Sequence, residues 1–213
     1  MPNNDDDLSL ARTPGSVLAV FAHPDDAELW AGGTLALHAR HARVDIAVPT
    51  HGPVRDAEAA AGATILGARL HQIPNLGAHA VQTLMTRLKP MIVITHPVDD
   101  VHADHRRIAR AVLEALPDAK IQTGRPRRLY ACDTYNSLTL HGPVNPTVMV
   151  DVTSTFDVKL QALGQHASQP IDDHFAPMAQ ELGRLWGRRS GAAYAEAFTA
   201  LPVLGRLPGA THL

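Results

Sequence analysis

The chain has 213 residues, with 19 Lys and Arg against 21 Asp and Glu and a formal net charge of −2. So even a balance leaves no electrostatic footprint for nucleic acid, and the short basic runs "GRPRR" and "GRRSG" read as solvated loops. Apolar residues make up 45% and aromatics 4%, so the core is expected to be Ala, Val, Leu and Ile, and the lone Cys132 excludes a disulfide framework and a cysteine metal site.

Residues 1–15, "MPNNDDDLSLARTPG", read as a disordered polar tail without the basic and apolar regions of a secretory signal. A strand is expected over 17–22, followed by a helix in "DDAELWAGGTLALHARH". The run "VDIAVPT" gives a second strand, and a helix follows from Arg55 through "DAEAAAGATILG". Residues 70–73 form a short third strand, and "AVQTLMTRLKP" a helix that Pro90 stops. "MIVIT" is the fourth strand, and "DHRRIARAVLEAL", from Asp104, an amphipathic helix. "RLYACDTY" and "PTVMVDV" add strands, and three helices are expected in "FDVKLQALGQH", "MAQELGRLWGRR" and "AAYAEAFTAL". Strand–helix alternation of this kind builds an α/β fold, a Rossmann-like and mostly parallel sheet with helices on both faces in three layers. No linker or repeat interrupts residues 16–213, which are expected to form one domain. No apolar run has the length of a membrane span, and a cytoplasmic protein is the default expectation.

The first strand leads into "AHPDDAELWAGG", Ala22 to Gly33, and not into the glycine fingerprint of dinucleotide binders. Gly32 and Gly33 fall inside the helix, where they allow close packing against the sheet. A Walker loop and the G-x-S-x-G elbow of serine hydrolases are missing as well. What the stretch does carry is His23, Asp25 and Asp26, ionisable groups at a density that resists burial without compensation. The same residue types recur after the fourth strand in "THPVDDVHADHRR", with His96, Asp99, Asp100, His102, Asp104 and His105. With strand order 3-2-1-4-5 the first and fourth strands are neighbours, and their carboxyl-end loops face each other across the ligand crevice of such sheets. Imidazole and carboxylate there suit a catalytic zinc, with His23, Asp26 and His105 as three ligands and one position open to water. A dication would offset the Asp25–Asp26 repulsion and leave Asp25 free to take a proton from the bound water.

Simpler readings compete. Asp25-x-x-Glu28 fits a helix capping box. His102 and His105 sit at a helix start, where a positive ring opposes the helix dipole, and Asp104 suits that helix's N-cap. His96 reads as a structural strand-end residue outside the ligand set, and Asp99 and Asp100 as a turn. His166 reads as a packing or subunit-contact residue, and Tyr194 and Phe198 as one structural helical face.

"AHPDDAE" followed by "GGT", together with "HADH" after the fourth strand, resembles the zinc-dependent de-N-acetylases of the LmbE-like (PIG-L) family. Further similar segments are "RDAEAAAGATILG", "VMVDVTSTFDVKLQALGQHASQ" and "YAEAF". The resemblance implies a metal-dependent amide hydrolase that removes acetyl from an N-acetyl amino sugar or its conjugate. It implies His23, Asp26 and His105 as metal ligands and Asp25 as general base. His102 would stabilise the oxyanion or protonate the leaving amine, and Asp104 would hold a histidine of that pair in its tautomer. Arg55 falls at the position of a substrate-contacting arginine, with an ion pair as its alternative use. Zinc is the implied cofactor, and ferrous iron suits the same donors. The implied partner is a small N-acetylated molecule, with assembly into identical copies compatible with the family. The chain departs from its relatives at "PTHGPVRDAE", where Pro53 replaces the glutamate of Thr-x-Gly-Glu and the loop is short, and at Asn75, where relatives often carry aspartate. Two other uses of the same residues are an amidase of a thiol conjugate or natural-product intermediate, and a non-catalytic sugar-binding module.

Overall fold

A computed structural model describes residues 15–208; apart from Gly15, the expected polar tail lies outside the described residues. Four strands alternate with helices in the first half: β1 (Val17–Val20), α1 (Asp26–Ala39), β2 (Val44–Val48), α2 (Pro53–Leu66), β3 (Arg69–Gln72), α3 (Ala78–Leu88), β4 (Ile92–Thr95) and α4 (Ala103–Thr123). The second half adds β5 (Arg128–Cys132), a small hairpin of β6 (Leu138–Thr139) and β7 (Gly142–Pro143), β8 (Val148–Asp151), α5 (Phe156–Leu163), α6 (Ala176–Ser190) and β9 (Ala195–Leu201). The main sheet runs β3-β2-β1-β4-β5-β9-β8. Its first five strands in that order are parallel, and β9 is antiparallel to both neighbours.

Period-two alternation along the central strand builds the layers. Val17, Ala19 and Phe21 join a core with Leu29, Leu35, Leu66 and Leu163, from α1, α2 and α5. Leu18, Val20 and Ala22 join a second core with Leu84, Met85, Ile108 and Val112, from α3 and α4. A strand buried on both faces must be apolar throughout, which is why "SVLAVFA" carries no polar residue beyond its first.

Three expectations are corrected. The run "AAYAEAFTAL" is not a helix: its core is β9, paired to β5 on one side and β8 on the other, with Phe198 opposite both Cys132 and Val148. Alanine-rich composition favours a helix locally, but two strand partners override that preference. Tyr194 and Phe198 therefore share no helical face. Tyr194 stacks on Phe156 at 3.9 Å between ring centroids, while Phe198 meets Tyr130 edge-on. Second, α4 does not end near Leu116 but continues through Pro117 to Thr123. Third, the glycine pair of α1 packs closely on α5 and the segment after β8, and meets the sheet through the Gly33 amide, which donates to Glu196 of β9 at 2.9 Å. A Cβ on Gly33 would lie 2.7 Å from Val152 Cβ, and one on Gly32 3.1 Å from Lys159 Cγ.

Candidate active site

The strand order puts the loops after β1, β2 and β4 side by side at the carboxyl end of the sheet, the crevice where open parallel sheets bind ligands. The β1 loop delivers His23, Asp25 and Asp26; the β2 loop delivers His51 and Arg55; the β4 loop delivers His96, Asp100, His102 and His105. Asp25 occupies the N-cap of α1, yet its side chain makes no cap hydrogen bond. The capping box is not formed, and the carboxylate is left for other work.

His23 Nδ1 lies 3.1 Å from Asp26 Oδ2 and 3.3 Å from His105 Nε2, and His105 Nε2 lies 3.4 Å from Asp26 Oδ1. Ligands about 2.0–2.2 Å from a tetrahedral zinc stand roughly 3.3–3.5 Å apart, close to these separations, with Asp26 meeting His23 through one oxygen and His105 through the other. Proton counting agrees. His105 Nδ1 is 3.0 Å from Asp100 Oδ2 and donates to it, which leaves the neutral ring's Nε2 lone pair aimed at His23 and the Asp26 carboxylate. A cation or an added proton relieves that clash. Metal-suited groupings here are His23 with His102 and His105, and Asp26 with His96 and His105.

The electrostatics follow from burial and these neighbours. Burial pushes the Asp26 carboxyl upward, but His96 and His105 outweigh it and hold the group well below the usual range. Burial pushes His105 down, and Asp26 and Asp100 overcome it, raising its pKa to about 9. Asp25 is raised, first by burial and then by Asp26, against the opposing pull of Arg55, whose guanidinium donates to Asp25 Oδ1 at 3.0 Å. His102 is lowered by burial and by His105 and His23.

His102, not Asp104, is the N-cap of α4, and its Nδ1 accepts from the Asp104 backbone N–H at 3.2 Å. The neutral ring therefore carries its hydrogen on Nε2. Asp104 engages the His102–His105 pair through that backbone group; its carboxylate lies 3.7 Å from His23 Nε2 and 3.2 Å from Arg107. The carboxylate that holds His105's tautomer is Asp100, which also accepts from Thr134 Oγ1 at 2.8 Å. Arg55 is an ion-pair partner of Asp25.

Two more residues at the site read as structural from sequence. His96 is fully buried, stacked on His105 at 3.8 Å, with Nε2 3.2 Å from Asp26 Oδ2. Asp100 has no sequence signal beyond its place between two metal-type residues. Tyr135, in the turn after β5, stacks near His105 and meets Trp30 edge-on. His166 is buried with Glu28, 3.5 Å away, behind Asp25.

Residues 18–116 match the family described as GlcNAc-PI de-N-acetylase, PIG-L, and the metal-suited side chains His23, Asp26, His96, His102 and His105 all lie within that span. A similar curated protein is the probable N-acetyl-alpha-D-glucosaminyl L-malate deacetylase 2 of Bacillus cereus, 28% identical over 187 residues, with 72% of this chain and 83% of that protein covered. Among solved structures, the conserved protein TT1542 from Thermus thermophilus is 26% identical with a TM-score of 0.75, covering 88% of this chain and 94% of its own. The N,N'-diacetylchitobiose deacetylase of Pyrococcus horikoshii shares the fold at a TM-score of 0.72 and 18% identity, covering 96% and 95% of the two chains. The likeness in fold extends past the PIG-L match, over 88% and 96% of this chain in the two structures. Among the described residues no helix is long and apolar enough to cross a membrane.

Proposed function

We propose that the protein is a zinc-dependent deacetylase that hydrolyses the acetamide of an N-acetyl amino sugar or its conjugate. The observation that carries this reading is the convergence of His23, Asp26 and His105 at 3.1–3.4 Å beside the buried Asp25. The PIG-L match and the deacetylase named among its curated relatives support the same chemistry.

His23, Asp26 and His105 would hold the zinc, with Asp100 orienting His105 from behind. When bound, the ion would polarise the acetyl carbonyl and bring the pKa of water to about 7. Asp25 then acts as general base. Burial and Asp26 raise its affinity for a proton, and Arg55 keeps its carboxylate in place, so it accepts the proton of the attacking water. His102 is held neutral with its hydrogen on Nε2, which makes it a donor to the oxygen that gains charge as the carbonyl carbon becomes tetrahedral. Collapse of that carbon needs a proton on the departing nitrogen, and Asp25, protonated in the first step, supplies it. The products are acetate and a primary amine.

The test is acetate release from N-acetylglucosamine derivatives after chelation and stepwise return of zinc. Activity should vanish and recover with about one ion per chain. Release that ignores the chelator removes the metal from the reading, and sugar binding without any acetate favours a binding module.

A further inference from the structure

We infer that His51 is a substrate-binding residue, whose Nε2 accepts a hydrogen bond from a sugar hydroxyl next to the acetamido carbon. The inference rests on the proposed amino-sugar substrate and deepens it. His51 leaves the carboxyl end of β2 and is exposed at the rim, its ring edge-on to His23 with centroids 5.6 Å apart. On the opposite flank His102 stands edge-on to the same ring at 4.8 Å. Two imidazoles thus bracket His23, one from each neighbouring loop.

Their tautomers are opposite. The His51 Nδ1 lies 3.0 Å from the Pro49 carbonyl, and a carbonyl only accepts, so Nδ1 carries the hydrogen and Nε2 the lone pair. His102 accepts a backbone N–H at Nδ1 and so carries its hydrogen on Nε2. The rings flanking His23 therefore carry a donor nitrogen on the β4 side and an acceptor nitrogen on the β2 side. A substrate that places its acetyl oxygen toward the donor presents its ring substituents to the acceptor.

The acceptor is also built to stay in place. The His51 backbone N–H donates to Asp56 Oδ1 at 2.7 Å, tying the loop to the first turn of α2. Gly52 follows at φ +93°, a backbone conformation that suits glycine and turns the chain sharply into α2. His51 is held from both ends of its own residue, with Nε2 left as the ring's acceptor.

The test is a binding cycle by calorimetry on the zinc-loaded Asp25→Asn protein, in which turnover is slow. The probes are N-acetylglucosamine and the two monodeoxy forms that each lack a hydroxyl beside the acetamido carbon. His51→Ala should weaken binding of the parent sugar roughly three- to tenfold, the worth of one neutral hydrogen bond. One monodeoxy form should bind the His51-bearing protein weakly by the same factor and show no further loss on His51→Ala. His51→Gln, whose amide oxygen reaches the same place, should recover part of the loss. An equal His51→Ala penalty on all three sugars overturns the inference and leaves the hydrolase reading standing. No acetate release by the native enzyme with the binding cycle intact does the reverse.

Discussion

Two regions of this molecule bury charge at high density, and they solve the problem in opposite ways. Behind α1, Glu196 of β9 and Lys159 of α5 form an ion pair at 2.6 Å, both almost wholly buried. Glu196 also accepts from the backbone N–H groups of Gly33 and Thr34, at 2.9 and 2.8 Å. Every charge there has its hydrogens supplied by the protein. Across α1, Asp26 receives the His23 backbone N–H at 2.7 Å and Trp30 Nε1–H at 3.2 Å, yet also faces imidazole nitrogens with too few hydrogens to go round. Buried charge alone does not mark a functional site. The shortage of hydrogens does, because a group from outside must complete the set.

The sharpest way to break this contrast is to change one carboxylate in each region. Asp25→Asn removes the base and keeps the donor set, so turnover should fall on the order of 10²- to 10⁴-fold while bound zinc, read by elemental analysis, stays at the wild-type level. Loss of zinc with activity would make Asp25 a ligand. Glu196→Ala should do the opposite. It strands Lys159 and two backbone donors in the interior, at a cost of about 3–5 kcal/mol read from the denaturant midpoint. Acetate release per folded molecule should be kept. An unchanged midpoint would show that stranding Lys159 and the two amides costs nothing, and the contrast between the regions would fail.

The half of the chain most legible in sequence is the half that repeats one rule. Alternating strands and helices from Val17 to Thr123 dictate a parallel sheet, and the neighbouring of β1 and β4 brings His23, Asp26 and His105 together from distant stretches. His96 and Asp100 were opaque because their role depends on what lies beside them in space. A histidine before proline and an aspartate in a turn look ordinary until His105 is seen stacked on one and hydrogen-bonded to the other. Glu196 was hidden for a related reason. In "AAYAEAF" a single glutamate among alanines looks like the wet face of a helix. Burial between two strands, with Lys159 and the amides of α1 as partners, is a tertiary fact without local pattern.

A smaller effect, measured in protons, sharpens the contrast further. Without metal, His105 binds its proton with a pKa of about 9, above the roughly 6.5 of an unfolded histidine. The stability this contributes to the zinc-free protein is therefore complete below about pH 6.5 and is lost as pH rises through 9. Zinc requires the neutral ring, so loading the ion between those values must expel the proton. Calorimetric zinc titrations in buffers of different ionisation enthalpy should show about one proton released from this group near pH 7.5, fading above pH 9. The Glu196→Ala protein should release the same number, since its charge pair shares no partner with the donors. His105→Gln should abolish the proton and the ion together. Proton release that does not fade above pH 9 would mean that His105 is not the group that zinc displaces, and the hydrogen shortage would have to be relocated to His23 and Asp26.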